Sequence, residues 1–293
     1  MRITVFTPTY NRGYIIDHLY QSLRRQTFTD FEWIVVDDGS TDDTKGQFER
    51  YLKEQNQFSI TYLQTENGGK HRAINRGVSA ANGDLFFIVD SDDYLTDTAL
   101  ERIDRIDKTI PHNTDEKFGG VCGLKGYSET SIVGKTFDGE LLDIRTLDRP
   151  KYGISGDKAE VFYTEVLKKY PFPEYPGENF ITECVVWDKI AADGYKLRFF
   201  NEIVYICDYL PDGLSAHSAE LFAATPKGYG LYLYQSALFK KITGVDRWNK
   251  YLDYFYTFKK KLKFTEIAGN LHMNPIKLYI RLFGMRLFYR LYR

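Results

Sequence analysis

Leu85-Phe86-Phe87-Ile88-Val89-Asp90-Ser91-Asp92-Asp93 joins five apolar residues directly to three aspartates within four positions. An apolar run of this length, bounded by polar residues, is typical of a strand buried on both faces of a parallel sheet. Carboxylates this close repel one another unless a cation lies between them. Mg2+ and Mn2+ prefer such oxygen ligands and leave coordination positions open for a phosphate. The stretch therefore predicts a metal-bound phosphorylated ligand at the end of a buried strand.

The residues before this stretch alternate between strand and helix patterns. We predict strands at residues 3–7, 31–36, 59–64 and 84–89, and helices at residues 15–25, 41–54 and 71–80. Such alternation indicates βαβ units with right-handed crossovers and a mostly parallel sheet flanked by helices. The predicted fold class is therefore α/β and Rossmann-like.

Polar loops follow the predicted strands, at the edge where an open α/β sheet binds its ligands. The loops are Thr7-Pro8-Thr9-Tyr10-Asn11-Arg12, Asp37-Asp38-Gly39-Ser40, Glu66-Asn67-Gly68-Gly69-Lys70 and Asp90-Ser91-Asp92-Asp93. Tyr10 offers a flat ring for a base, and Asp38 offers an acceptor for a pyrimidine N–H. Lys70 and Arg72 supply cations for a diphosphate. Each loop also has a structural explanation as a turn or a helix cap, but their order and spacing together indicate a nucleotide-diphosphate site.

Composition limits the class of protein. A chain of 293 residues with 43% hydrophobic content can bury the core of a large α/β domain. Three widely spaced cysteines, Cys122, Cys184 and Cys207, indicate neither a disulfide framework nor a zinc site and favour a reducing cytoplasm. The first residues lack an apolar segment long enough for a secretory signal, and no apolar stretch reaches about 18 residues. We therefore expect a cytoplasmic protein that is neither exported nor membrane-spanning.

The C-terminal segment differs in charge from the rest of the chain. Residues 240–293 contain 13 Lys or Arg and 3 acidic residues, a local charge of +10, so residues 1–239 carry −11. The segment is also rich in aromatic residues. Basic helices with large apolar faces commonly lie on anionic membrane surfaces. We expect residues 226–293 to form a basic, aromatic helical extension that contacts such a surface or packs as a cap on the domain, and we expect no nucleic-acid partner.

Four motifs in residues 1–107 resemble those of the family 2 glycosyltransferases, which have the GT-A fold. They are Thr7-Pro8-Thr9-Tyr10-Asn11-Arg12, Val35-Val36-Asp37-Asp38-Gly39-Ser40-Thr41-Asp42, Asn67-Gly68-Gly69 and Asp90-Ser91-Asp92-Asp93. The resemblance implies an inverting transferase with a nucleotide-sugar donor, usually UDP-linked, and Mn2+ or Mg2+ held at the D-x-D. It implies that Tyr10 stacks on the base, that Asp38 meets the uracil, and that Asp90 faces the ribose or the metal shell. The implied donor-binding residues are Pro8, Thr9, Tyr10, Asn11, Arg12, Asp38, Gly69, Lys70, Arg72, Asp90 and Ser91, with Asp92 as a metal ligand.

Residues 108–225 are expected to form the acceptor side of the same domain and to provide the catalytic base. Residues 156–162 and 172–183 resemble a bacterial polysaccharide branch of the family, in which an acidic motif at the start of a helix holds the general base. That motif is commonly Glu-Asp, whereas Glu183 is followed here by Cys184, so Glu183 is the candidate base. A first-turn glutamate stabilised by the helix dipole is the structural alternative, and Asp157 is a lesser candidate.

The resemblance implies a single displacement that inverts the anomeric carbon. A carboxylate would remove the proton of the acceptor hydroxyl while the metal and the cations stabilise the departing diphosphate. A loop at Asp212-Gly213-Leu214-Ser215-Ala216-His217 is expected to close over the donor. His217 is a candidate metal ligand, although a lone loop histidine is more often solvated. The expected acceptor is a polysaccharide or a lipid-linked oligosaccharide at the inner membrane face.

Two other classes of protein remain open. A sugar nucleotidylyltransferase would carry a Gly-rich phosphate loop after its first strand, where this chain has Pro8-Thr9-Tyr10-Asn11. A non-catalytic protein that binds a nucleotide sugar or a membrane surface would keep the same ligands, because a sequence shows ligands but not turnover. Loss of transfer with retained nucleotide binding in Glu183→Gln would separate the enzyme from the binding protein.

Overall fold

A large mixed sheet forms the framework of the protein, in a computed structural model that describes residues 1–111, 115–208, 213, 216–240 and 244–291. Within those residues the sheet has ten strands. They are β1 (Ile3–Thr9), β2 (Phe31–Asp37), β3 (Ser59–Gln64), β4 (Leu85–Ile88), β5 (Tyr94–Leu95), β6 (Phe118–Ser128), β7 (Ser131–Ile132), β8 (Leu141–Ile144), β9 (Lys158–Tyr163) and β10 (Lys196–Ile206).

Helices cover both faces of the sheet and form the C-terminal extension. The first six are α1 (Ile16–Arg24), α2 (Thr44–Tyr51), α3 (Lys70–Ala80), α4 (Ala99–Asp107), α5 (Thr164–Lys169) and α6 (Cys184–Ala192). The remaining five are α7 (Ser218–Ala224), α8 (Pro226–Phe239), α9 (Gly244–Phe258), α10 (Phe264–Asn270) and α11 (Pro275–Leu291). A short 3-10 helix spans Thr146–Tyr152.

The strand order is β3-β2-β1-β4-β9-β6-β10-β5, with β7 paired to β6 and β8 to β10. The four predicted strands are present as β1 to β4, and all their mutual pairings are parallel. From β4 onward β9 pairs antiparallel on both sides, and the parallel arrangement returns only between β6 and β10. The α/β class with a C-terminal helical extension is confirmed, and the sheet is parallel in the half that carries the predicted loops.

The pattern of apolar residues explains why the central strands are buried. Every residue of β1 and of β2 is buried. Alternate side chains supply two core clusters, one containing Val5, Trp33 and Phe87 and the other containing Phe6 and Phe86. Helix α3 packs so tightly on the second cluster that a Cβ at Gly77 would lie 2.2 Å from the Phe6 ring. The central strands therefore form a rigid base for the loops at their ends.

The C-terminal extension has a core of its own. Buried apolar side chains of α8 to α11 form a third cluster that includes Tyr254, Phe258, Ile267 and Leu278. The Tyr254 hydroxyl donates to the carbonyl of Pro226 at 2.7 Å, which joins α9 to the start of α8. Part of the aromatic segment is thus buried inside the extension itself. No helix of the described residues is long and apolar enough to cross a membrane.

The division of the chain into segments 1–107, 108–225 and 226–293 stays a proposal, since one sheet runs through the first two of these segments.

Candidate functional site

A cleft of about 680 Å³ lies at the carboxyl edge of the parallel strands. Adjacent parallel strands bring the loops after β1, β2, β3 and β4 to one edge of the sheet, where α/β proteins bind ligands. The predicted residues that line the cleft are Pro8, Thr9, Tyr10, Asn11, Arg12, Asp38, Gly69, Lys70, Asp90, Ser91 and Asp92. The sequence pattern and the topology therefore agree on the location of the site.

Asn11 ties the first loop to the second. Its backbone N–H donates to the Ser40 hydroxyl at 2.8 Å, and its side-chain oxygen accepts from the Thr41 N–H at 2.8 Å. The φ of Asn11 is 51°, in the left-handed region that asparagine tolerates better than most residues. Asn11 thus holds Tyr10, which is largely exposed, at the mouth of the cleft.

Asp38 ties the second loop to the third. Its two carboxylate oxygens accept the backbone N–H groups of Gly68 and Gly69 at 2.8 and 2.7 Å. Burial raises the pKa of Asp38 despite these two hydrogen bonds. Gly69 has a φ of 95°, and a Cβ there would lie 1.7 Å from the carbonyl oxygen of Asn179. Only glycine lets the loop after β3 and the loop before α6 approach this closely.

Lys70, the first residue of α3, connects the loop after β4 to the residue that precedes α6. Its Nζ lies 2.6 Å from Asp90 Oδ1 and 2.9 Å from Glu183 Oε1. Burial alone would lower the pKa of the Lys70 ammonium, but the carboxylates of Asp90 and Glu183 outweigh it and raise that pKa. Glu183 is not a lining residue of the cleft, yet Lys70 holds its carboxylate at the border. The predicted base and the D-x-D therefore lie within reach of one ammonium group.

The aspartates after β4 have different environments. Burial, and then the charge of Asp90, raises the pKa of Asp92. The same two causes raise the pKa of Asp93 to about 7. The Tyr205 hydroxyl donates to Asp93 Oδ2 at 2.6 Å, and the Asp208 N–H donates to Asp93 Oδ1 at 2.9 Å. Both aspartates line the cleft, but Asp93 is held by these two hydrogen bonds, whereas Asp92 lies beside the charge of Asp90.

This donor set fits a hard divalent cation. Burial, and then the adjacent charge of Asp90, raises the pKa of Asp92, and a bound cation would offset that charge. Within the described part of the chain no three His, Cys, Asp or Glu side chains converge as a ready metal cage. Mg2+ commonly binds through one or two carboxylates, with the remaining positions taken by phosphate oxygens and water. Asp92 and Asp90 suit that kind of site, in which the donor completes the shell.

Two predicted site residues lie away from the cleft. The Arg72 guanidinium donates to the backbone carbonyls of Tyr175 and Glu178 at 2.8 and 2.7 Å, so it holds the loop before α6. His217 is 52% exposed, with its Nδ1 3.4 Å from Glu220 Oε2, and does not line the cleft. Asp212, Leu214 and Ser215 of the predicted closing loop lie outside the described residues.

Several lining residues were not singled out from the sequence. Lys125, Cys207, Asp208 and Leu221 belong to no site motif quoted above, whereas Asn67, Asn179, Phe180 and Gly213 lie in quoted stretches but were given no role. Asp157, the lesser candidate for the base, also lines the cleft. The Lys125 ammonium lies 4.0 Å from the Tyr205 ring centroid, and its pKa is raised because the nearby carboxylates, Asp90 first, outweigh burial. Lys125 has no local signal, because it reaches this edge only through the sheet order, in which β9 separates β4 from β6.

Comparisons with known proteins place the chain among glycosyltransferases. Residues 4–109 match the family model "Glycosyl transferase family 2". A Campylobacter jejuni protein, the GalNAc(5)-diNAcBac-PP-undecaprenol beta-1,3-glucosyltransferase, is 27% identical over 96% of this chain and 87% of its own length. An uncharacterized glycosyltransferase of Nostoc is 33% identical over 96% of this chain and 84% of its own.

Solved structures share the fold. The crystal structure of Staphylococcus aureus TarS residues 1–349 with UDP-GlcNAc has a TM-score of 0.62 at 21% identity, covering 100% of this chain and 93% of that one. By sequence, TarS, a poly(ribitol-phosphate) beta-N-acetylglucosaminyltransferase, is 39% identical over 59% of this chain but only 30% of its own length. A Pyrobaculum calidifontis mannosyltransferase with GDP-Man and Mn2+ has a TM-score of 0.55 at 19% identity, covering 92% of this chain and 74% of that one. The expected GT-A fold is confirmed, and the chain belongs to glycosyltransferase family 2.

Proposed function

We propose that this protein is an inverting glycosyltransferase that moves a hexose or an N-acetylhexosamine from a UDP donor to a hydroxyl of a saccharide acceptor. The observation that carries the proposal is the contact of Lys70 with both Asp90 and Glu183. Because the two carboxylates share one ammonium group, Glu183 lies beside the D-x-D, at the border of the cleft that would hold the sugar diphosphate. The names of two relatives, the Campylobacter jejuni glucosyltransferase and TarS, state that they form β linkages. A single inversion at the anomeric carbon of an α-linked UDP-sugar gives a β linkage.

The donor would lie along the four loops of the cleft. Tyr10 is exposed and offers its ring to the base. Each carboxylate oxygen of Asp38 accepts one backbone N–H and keeps capacity to accept the uracil N–H. Arg12, Lys70 and Lys125 line the same cleft and would attract the diphosphate. Arg72 supports this site from behind, by holding the loop that precedes α6.

Asp92, with Asp90, would hold the divalent cation. When bound, Mn2+ or Mg2+ supplies positive charge that stabilises a departing diphosphate. Lys70 adds a second positive charge from the protein itself. Its bond to Asp90 also keeps that carboxylate oriented in the cleft. His217 is left out of the proposed metal shell, because its ring lies outside the cleft.

Glu183 would act as the general base. It precedes α6 and its carboxylate is fixed by Lys70 at 2.9 Å. In the reaction it would take the proton of the acceptor hydroxyl as that oxygen attacks the anomeric carbon. The bond between the anomeric carbon and the diphosphate breaks on the opposite face, so no second nucleophilic carboxylate is needed. Cys184 occupies the position of the usual second acid and cannot replace it in this role.

The acceptor would be a polysaccharide or a lipid-linked oligosaccharide, as the names of the two relatives indicate for those proteins. A panel of UDP-sugars with Mn2+ and acceptors of both kinds, followed by mass spectrometry, would identify the product. We expect transfer by the wild-type chain and none by Glu183→Gln, which should still bind UDP. UDP binding without transfer to any acceptor would favour the non-catalytic binding protein. Release of pyrophosphate from a sugar phosphate and UTP would favour a nucleotidylyltransferase.

We propose that the C-terminal extension places this enzyme on the inner face of an anionic membrane. Ile276, Tyr279 and Ile280 lie on one face of α11 and are each at least 60% exposed. The local charge of +10 suits anionic lipids. Sedimentation with phosphatidylglycerol vesicles should fall in Ile276→Asp and be unchanged in Val245→Asp, an exposed apolar residue on α9. Equal sedimentation of both variants and the wild type would contradict this placement.

A further inference from the structure

A second groove, of about 720 Å³, lies in the C-terminal extension between α8, α9 and α11 and shares no lining residue with the donor cleft. Its lining residues include the aromatic residues Tyr234, Trp248 and His272 and the cations Arg247, Lys277 and Arg281. Among the described residues no carboxylate lines this groove. A concave surface that combines several aromatic rings with several cations is suited to an organic anion.

The cations of the groove are arranged around one indole ring. The guanidinium carbons of Arg247 and Arg281 lie 5.3 and 5.5 Å from the Trp248 ring centroid. The Nε of Arg247 is buried and has no hydrogen-bond partner among the described residues. A buried donor without a partner costs free energy, so native proteins rarely keep one unless something else satisfies it. Arg247 therefore lines a cationic groove and keeps one buried N–H without a partner among the described residues.

His272 occupies a backbone position that disfavours it. The bonds from the His272 N–H to the Gly269 carbonyl and from the Met273 N–H to the Ala268 carbonyl form a Schellman motif at the end of α10. His272 has a φ of 53°, at the position of this motif that glycine usually occupies. Its ring stacks on Tyr234 with centroids 4.4 Å apart. Strain of this kind often marks a functional site, and here it adds a ring to the groove.

We propose that this groove binds the phosphate of a phosphorylated saccharide, and that in the proposed function it holds the acceptor. The two guanidinium groups match a phosphate in charge and fork geometry. The neighbouring rings offer flat apolar faces to the sugar. The acceptors named for two relatives carry phosphate.

Helix α8 sets the separation between the groove and the cleft. In the first turn of α8, the Gly228 N–H donates to the Glu178 carboxylate. Glu178 lies in the loop that also carries the cleft residue Phe180. The later turns of α8 carry Tyr234 and Leu238 in the groove. At about 1.5 Å per residue, the groove lies on the order of 10–15 Å along the helix from the acceptor loop. A phosphate some units behind the reacting hydroxyl could therefore be held while that hydroxyl reaches Glu183.

The test measures binding without requiring transfer. The full chain is first saturated with UDP and Mn2+, and is then titrated with a ribitol-phosphate oligomer while Trp248 fluorescence is followed. Trp248→Phe assigns the signal, and a neutral maltooligosaccharide serves as the uncharged probe. Arg247→Gln and Arg281→Gln should each weaken oligomer binding about tenfold, as for a lost charged hydrogen bond. Lys250→Gln, which removes an exposed cation of α9 outside the groove, should leave the affinity unchanged.

Equal weakening by Lys250→Gln and Arg281→Gln would overturn the proposal in favour of diffuse charge attraction. Binding of phosphatidylglycerol vesicles, but not of the oligomer, with the same dependence on Arg247 and Arg281 would overturn it in favour of a lipid headgroup.

His272→Gly should keep or raise the thermal midpoint while weakening oligomer binding, because glycine relieves the strain and removes the ring. A lower midpoint with unchanged binding would give His272 a purely structural role and count against the groove. Oligomer binding by a chain that transfers no sugar would refute the proposed function alone.

Discussion

Replacing Glu183 by glutamine should abolish turnover without unfolding the protein. Glu183 Oε1 lies 2.9 Å from Lys70 Nζ, and its side chain is 36% exposed. An ion pair with that degree of exposure contributes about 0–1 kcal/mol to stability. A positioned general base contributes about 10²- to 10⁴-fold to the rate, which corresponds to roughly 3–5 kcal/mol. The catalytic effect should therefore far exceed the structural one.

The assay measures kcat from UDP release at saturating donor and acceptor, beside UDP affinity and the thermal midpoint. Glu178→Gln is the matched control, because Glu178 accepts the N–H groups of Lys227 and Gly228, both at 2.8 Å, at the start of α8. That change should cost about 1 kcal/mol of stability through the weakened helix cap and leave kcat of the folded protein unchanged. A wild-type kcat for Glu183→Gln would refute the reasoning. A larger loss in Asp157→Asn would move the base to Asp157.

Three further changes test other parts of the account. Gly69→Ala should destabilise the protein by roughly 2–4 kcal/mol and weaken UDP binding, because the alanine Cβ would lie 1.7 Å from the Asn179 carbonyl oxygen. Urea unfolding measures the first effect, and calorimetric titration with UDP measures the second. Lys70→Gln should weaken UDP binding about 10- to 100-fold by removing a charged contact, and calorimetric affinity equal to that of the wild type would contradict this role. Burial, and then Arg72, lowers the pKa of His71 to about 4, below its ordinary value of 6.5. As the pH falls, the unfolded state therefore binds the proton first. The free energy of unfolding should then fall between about pH 6.5 and pH 4 by roughly 2 kcal/mol more in the wild type than in His71→Leu. Urea unfolding that gives the same pH dependence for the two proteins over that range would contradict this prediction.

The sequence predicts the donor half well because its signals are local. The period of apolar residues places β1 to β4, and parallel pairing then brings Tyr10, Asp38 and Asp92 to one edge. Lys125 could not be found in this way, since it reaches the cleft only through the order β9-β6-β10 beyond β4. That order depends on tertiary pairing, for which a single sequence carries no local pattern.

Arg72 lies away from the cleft because the helix begins one residue earlier than the predicted residue 71. Helix α3 begins at Lys70, and two residues along a helix differ by about 200° in direction. If Lys70 faces the cleft, Arg72 must therefore face away from it, as its bonds to the Tyr175 and Glu178 carbonyls show. His217 had no comparable signal, because its position depends on a loop without regular periodicity.

The most direct test of the central claim is a calorimetric titration of the wild-type chain with UDP, in Mn2+ and in chelator, repeated with Asp92→Asn. The account predicts binding that requires Mn2+ and that Asp92→Asn weakens strongly, since Asp92 would share the cation with the diphosphate. UDP binding of equal strength in Mn2+, in chelator and in Asp92→Asn would contradict the metal-assisted donor site. Absence of binding by any uridine nucleotide under either condition would contradict the UDP donor itself.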